Sequence, residues 1–217
     1  MVRLTSDYLV QLAAGEPERA RETLRVAMRS WTQRGYHIQH YRESAAQVRI
    51  ALYLGQGERA LDIIRGRRFL LWRSGILRVQ ALRIEARYWG ALAELAADPS
   101  GDGAILRRTL RAARVLEREG LSWAKAPMAA LLRAAVARKT GNDAEALRWL
   151  EVAEEGARAH SWALMFASIQ RRRGEVLGGD EGRALISQSE AWTASQSIQE
   201  PERMAAFMTP SMANPRS

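Results

Sequence analysis

The chain has 217 residues, of which 47% are hydrophobic and 26% charged, and it carries a net charge of +9. That is the composition of a globular protein with enough apolar material for one sizeable core or one short repeat array. Cysteine is absent, which excludes disulfides and thiolate metal sites, and no stretch approaches the roughly 18 unbroken apolar residues of a membrane span.

Glycines punctuate the chain at a regular spacing. Gly15/Ala20/Leu24, Gly55/Ala60/Ile64, Gly101/Leu106/Leu110 and Gly141/Ala146/Leu150 share one pattern, and a weaker fifth copy is Gly179/Ala184. A second mark stands about twenty residues after the first three: Gly35, Gly75 and Gly120. Glycine is favoured just past a helix C-terminus because it takes positive φ cheaply, so the segments between marks are helices. In chain order they are expected at 3–14, 17–33, 37–54, 57–73, 76–97, 102–118, 122–140, 143–158, 161–177, 181–196 and 201–208. Pro17 suits a first helical turn, and Asn142 and Asp143 suit an N-cap. Apolar stripes at helical spacing agree: Ile38, Tyr41, Ala45, Val48 and Leu52 in one segment, and Leu77, Ala81, Ile84, Tyr88, Ala91 and Leu95 in another. Pro127 should delay or kink the seventh helix. Asp98-Pro99-Ser100 reads as a turn, and no segment alternates as a strand would.

A fixed period near forty residues implies an all-α, right-handed solenoid of antiparallel helix pairs over residues 1–208, with 209–217 as a disordered tail. Ala20, Ala60 and Ala146 are expected where paired helices approach closely, and Trp31, Trp72, Trp123 and Trp162, near one phase of the repeat, in the repeat-joint core. The first helix presents Leu4, Tyr8, Leu9 and Leu12 with nothing evident to cover them. The chain therefore reads as the C-terminal part of a longer array, or as one that meets a partner there, because solenoid ends need a polar cap.

The Gly-x4-Ala-x3-Leu core, as in Gly15, Ala20, Leu24 and Ala27 and again in Gly55, Ala60 and Ile64, resembles the second-helix half of a tetratricopeptide repeat. The period is longer than that family's 34 residues. The stretch from Arg171 to Leu185, then Ala191-Trp192 and Glu200-Pro201-Glu202-Arg203-Met204, resembles the extreme C-terminus of large bacterial serine/threonine protein kinases that carry a signalling ATPase module. Residues 116–124 are similar to a repeat joint of the same region. The resemblance implies a regulatory segment, with upstream kinase and ATPase domains as neighbours in a longer chain. It carries no activity over, because the kinase motifs themselves are missing from this sequence.

No catalytic constellation stands out, and the expectation is a non-enzymatic module with no cofactor and no metal. Gly55-Gln56-Gly57-Glu58-Arg59-Ala60 fits a dinucleotide pattern by letter but follows a helical stripe where that motif needs a strand. His37, His40 and Glu43 share a helix face, for which a polar helix start is the plainer reading. Charge is more informative. Residues 1–150 carry +11 and residues 151–217 carry −2. By analogy with tetratricopeptide arrays, Arg42, Arg49, Arg83, Arg87 and Arg133 are candidates for lining the concave groove, where they would receive an acidic peptide or protein segment. As exposed charges, Arg83 and Arg87 should be reversible to Glu at little cost in stability. Arg107, Arg111, Arg114 and Arg118 form a basic stripe on an outer face. The function expected is protein–protein interaction or intramolecular regulation in bacterial kinase/ATPase signalling. The alternative is a basic helical repeat associating with nucleic acid in transcriptional regulation. The location expected is cytoplasmic, with no membrane partner.

Overall fold

Nine glycines take positive φ in the computed structural model, and seven of them stand at the sequence marks. Gly15, Gly55, Gly75, Gly120 and Gly141 directly follow a helix end, whereas Gly35 and Gly101 lie farther along their connections, beyond helices that end at Arg29 and Ala96. Residues 6–32 and 34–209 are described. About twenty residues after Gly141, where no glycine stands, Ser161 adopts the left-handed conformation at φ 56°.

The described residues form eleven α-helices and no strand. They are α1 (Asp7–Ala13), α2 (Pro17–Arg29), α3 (Ile38–Tyr53), α4 (Gly57–Arg73), α5 (Gln80–Ala96), α6 (Gly103–Arg118), α7 (Ala130–Lys139), α8 (Asp143–Ala159), α9 (Ala163–Leu177), α10 (Gly179–Ser195) and α11 (Pro201–Met208). A single 3-10 turn, Ile76–Arg78, precedes α5. It leaves Leu77 half-buried and Ala81 exposed, so the expected stripe of that segment holds only from Ile84 onward. Pro127 lies in a π-helical stretch, Ala124–Ala129, ahead of α7. Proline lacks the amide that an α-turn would use, and a π-turn accommodates the missing bond. The opposing helix fits closely there. A Cβ on Gly156 of α8 would stand 2.6 Å from the Ala126 Cβ and 2.8 Å from the Pro127 nitrogen.

Each helix packs on the next, and α1 touches α3, α3 touches α5 and α5 touches α7. Of the odd-numbered helices, α1, α3, α5 and α7 therefore share one layer, with α2, α4 and α6 behind it. Tyr88, Ile84, Leu92, Leu95, Leu131, Leu132, Ile50 and Ile169 run through one continuous core. Ala20, Ala60 and Ala146 are buried at the joints, as their spacing requires. Replacing Ala60 by Phe should overpack the α3–α4 joint and cost about 1–3 kcal/mol, read as a lower midpoint in urea.

The connection at Asp98 is stapled by one carboxylate. Asp98 accepts the amides of Ser100 (3.1 Å), Gly101 (3.1 Å) and Asp102 (2.8 Å) and the Ser100 hydroxyl (2.7 Å). Lys139 donates to its main-chain carbonyl. Burial pushes the carboxyl up, but the Ser100 hydroxyl, the amides and the Lys139 ammonium outweigh burial and hold it below its ordinary 3.8. Its contribution is therefore present above about pH 4 and is lost as the pH falls through the depressed value. Asp98→Ala should cost about 1–3 kcal/mol at neutral pH, with the gap from wild type closing as the melts are taken into acid.

Two expectations are corrected. Trp72 does not join the repeat-joint core: it is 74% exposed, beside Phe69 at 63%. Nor do Tyr8 and Leu12 lack cover, since both are fully buried. The cover comes from α2 and α3 and, in part, from the chain's own C-terminal helix. α11 turns back to touch α1, α3, α9 and α10, and the Gln199 amide donates to the Ala13 carbonyl at 2.8 Å. An eight-residue helix at the far end of the chain gives no periodic signal that it will lie against the first. Leu4, and residues 210–217 of the expected tail, lie outside the described residues.

Candidate functional site

The layer of odd-numbered helices carries an open depression lined by residues of α3, α5, the π-helical stretch and the start of α9. Its polar end is built from Arg42, Arg49 and Glu85. Arg42 and Arg49 lie seven residues apart, two turns along one face of α3, so both reach the same α5 carboxylate, Glu85. Arg42 Nη1 is 3.0 Å from Glu85 Oε2, and Arg49 Nη2 pairs with Oε1. Arg49 also donates to the Tyr8 hydroxyl at 2.7 Å. Burial opposes its charge, but Tyr8 and Glu85 outweigh it and raise its pKa, so Arg49 stays protonated.

The aromatic end is built around Trp89. Its ring stacks on Phe207 of α11 at 5.4 Å and 8°, meets the edge of Tyr88 at 5.3 Å, and has the Arg49 guanidinium 4.8 Å from its centroid. Trp123 and Trp162 approach to 6.3 Å, and with His160, Met128 and Met165 they complete the lining. The Trp89 Nε1 and the Tyr88 hydroxyl are buried without a hydrogen-bond partner among the described residues. Burial pushes the Tyr88 phenol well above its ordinary value, so at neutral pH it is a neutral hydroxyl.

The five sequence-predicted arginines do not come together. Arg42 and Arg49 line the depression. Arg83 forks onto Glu119 at 3.0 and 2.8 Å, and Arg87 lies 3.7 Å from the same carboxylate. Arg133 forks onto Glu117 at 2.7 and 3.1 Å and covers the Trp149 ring at 4.9 Å. These three reach toward α6 and its end, away from the depression. The Arg83 fork, followed by burial in the opposite sense and then Gln80, holds the Glu119 carboxyl below its usual range. Every member of the set thus has an internal carboxylate partner, with Glu85 and Glu119 each shared by two arginines. Reversing Arg83 and Arg87 would set like charges against Glu119 and weaken the seam between the start of α5 and the end of α6, contrary to the expectation of an indifferent exposed pair.

The sequence reading missed Trp89 and Phe207. Trp89 lies one residue past the apolar stripe that contains Tyr88, and Phe207 belongs to the returning helix. His37 and His40 are occupied in capping α3: the His37 amide donates to His40 Nδ1 at 3.0 Å, and His37 Nε2 lies 2.9 Å from the Arg34 carbonyl. The Gly55–Ala60 stretch is the turn from α3 into α4, and a Cβ on Gly57 would fall 2.3 Å from the Ala96 carbonyl carbon. Nothing there is shaped to cradle a phosphate.

No protein-family model matches the chain, and no curated protein and no solved structure matches it either.

Proposed function

We propose that the chain is a non-enzymatic, tetratricopeptide-like solenoid of helix pairs whose odd-helix face receives an amphipathic helix, either from a partner protein or from the chain itself. The observation that carries this reading is α11. It buries Met204, Ala205 and Phe207 against that face and stacks Phe207 on Trp89. A face that holds one short helix by an aromatic anchor has the chemistry of helix-in-groove recognition. The resemblance of residues 171–185 and 200–204 to the C-termini of bacterial kinases supports placing the module in kinase/ATPase signalling. There, occupancy of the face by α11 would be a form of intramolecular regulation.

The test is a titration with a labelled peptide spanning residues 198–209. The Met204→Ser/Phe207→Ser double variant, with its own helix loosened, should bind the peptide, and wild type should bind it far more weakly. Equal binding by the two proteins, with helical content unchanged, would refute the proposal.

A second reading has its own observation. Arg107, Arg111, Arg114 and Arg118 are all exposed on α6, and none has a carboxylate within ion-pair distance among the described residues. Such a stripe suits phosphates. If it binds nucleic acid, Arg107→Glu/Arg111→Glu/Arg114→Glu should abolish a gel shift whose affinity falls steeply with salt. No shift with duplex DNA or RNA at low salt would sink it.

A further inference from the structure

Between Asp62 and Glu85 the sequence contains six arginines and no carboxylate. This run forms the C-terminal half of α4, the 3-10 turn and the start of α5. Residues 65–70 are exposed without a break. Six consecutive residues of an α-helix cover more than one and a half turns, so this stretch projects, and Arg67 with the half-buried Leu71 marks the side that looks back toward Tyr36 and α5. Large apolar side chains project from it: Trp72 is 74% exposed, Phe69 63%, Val79 55% and Leu70 39%. Arginines 65, 67, 68, 73 and 78 are exposed among them. Asp62 reaches Arg65 at 3.8 Å, and no ion pair among the described residues holds Arg68, Arg73 or Arg78. Arg42, Arg83 and Arg133 are each matched to an internal carboxylate. Among the described residues, unmatched arginines cluster here and on the α6 stripe, and only here do large exposed apolar side chains stand among them.

We infer that this projection docks on an anionic lipid surface. Charge selects an anionic partner, and shape selects among anionic partners. Leu70 and Val79 offer nothing to phosphates or stacked bases. A rigid acidic protein would meet only one side of the projecting stretch. A bilayer interface is fluid enough to surround it, takes up phenylalanine, tryptophan and leucine at the headgroup level, and supplies phosphates to arginines in any geometry. Among the described residues no helix is long and apolar enough to cross a membrane. The contact is therefore peripheral, and it departs from the sequence expectation of no membrane partner. It uses none of the residues of the depression.

The experiment is co-sedimentation of the whole chain with vesicles of phosphatidylcholine alone and of phosphatidylcholine with one-third phosphatidylglycerol. Binding should require phosphatidylglycerol and weaken with salt. Arg68→Gln/Arg73→Gln/Arg78→Gln should reduce it roughly a hundredfold, at about fivefold per arginine. Phe69→Ser/Trp72→Ser should also abolish it. Both variants alter exposed residues, and an unchanged melting curve will show that they fold. Trp72→Phe should keep binding while losing a blue shift of emission seen in wild type. The proposal is overturned by no binding to the anionic vesicles, or by binding that both multiple variants retain. It is overturned equally if these residues instead drive a gel shift with duplex DNA, capture of an acidic peptide, or self-association without vesicles.

Discussion

Truncating Phe207 to alanine is expected to lower the melting temperature by on the order of 10 °C. The side chain is almost fully buried, and removing a buried Phe costs about 3–5 kcal/mol; each kcal/mol moves the midpoint of a chain this long by about 2–4 °C. The loss includes the stack on Trp89, and α1 would give up part of its cover, since α11 lies against it. Limited proteolysis should show where the loss falls. If α11 is a held ligand, cleavage should begin near residues 196–200 while the body of the chain persists. A midpoint unchanged within a degree would mean that α11 contributes nothing to the folded state, and the reading of the odd-helix face would fall with it.

Gly182→Leu is the second large effect. A Cβ on Gly182 would lie 2.4 Å from the Gly174 carbonyl oxygen, and one on Gly174 would lie 2.5 Å from the Gly182 oxygen. Backbone meets backbone at this crossing of α9 and α10, so no side chain can turn aside to make room. A leucine must push the helices apart, at a cost of about 3 kcal/mol or more. It would also strain the buried bond from the Ser189 hydroxyl to the Ala167 carbonyl, 2.8 Å long. The expected readout is loss of α10 from the protected core in amide exchange, with α3 to α6 little changed. Gly90 is the control: an added Cβ there meets nothing within 4 Å, so Gly90→Ala should be tolerated.

The helices and their joints were legible because their signals are local. A glycine past a helix end announces positive φ by itself, and Ala60 announces a close approach by its size and phase. The departures come where distant parts of the chain decide. Trp31 and Trp72 occupy the same phase, yet Trp31 is half-buried and Trp72 is not, and phase alone does not say what stands opposite each. The partner of Arg49 is 36 residues away and that of Arg42 is 43 away. A spacing near one repeat fits neighbouring odd helices, but charge pattern alone does not reveal that Glu85 would be shared. The depression was least legible. The Phe207 ring stacked on its Trp89 comes from α11, whose eight residues carry no repeat pattern.

The bond from Gln199 to Ala13 joins residues separated by nearly the whole chain. Open repeat arrays have only nearest-neighbour coupling, so they fray from either end and propagate folding from any starting point. A row whose last helix is seated on its first loses that freedom. Fraying of α1 must also expose α11, and fraying of α11 must uncover part of α1. The closure also forms late, because the loop it completes has the largest entropy cost in the molecule. The consequence is kinetic: this chain should unfold in one sharp transition, while its refolding shows a final step in which the two ends meet.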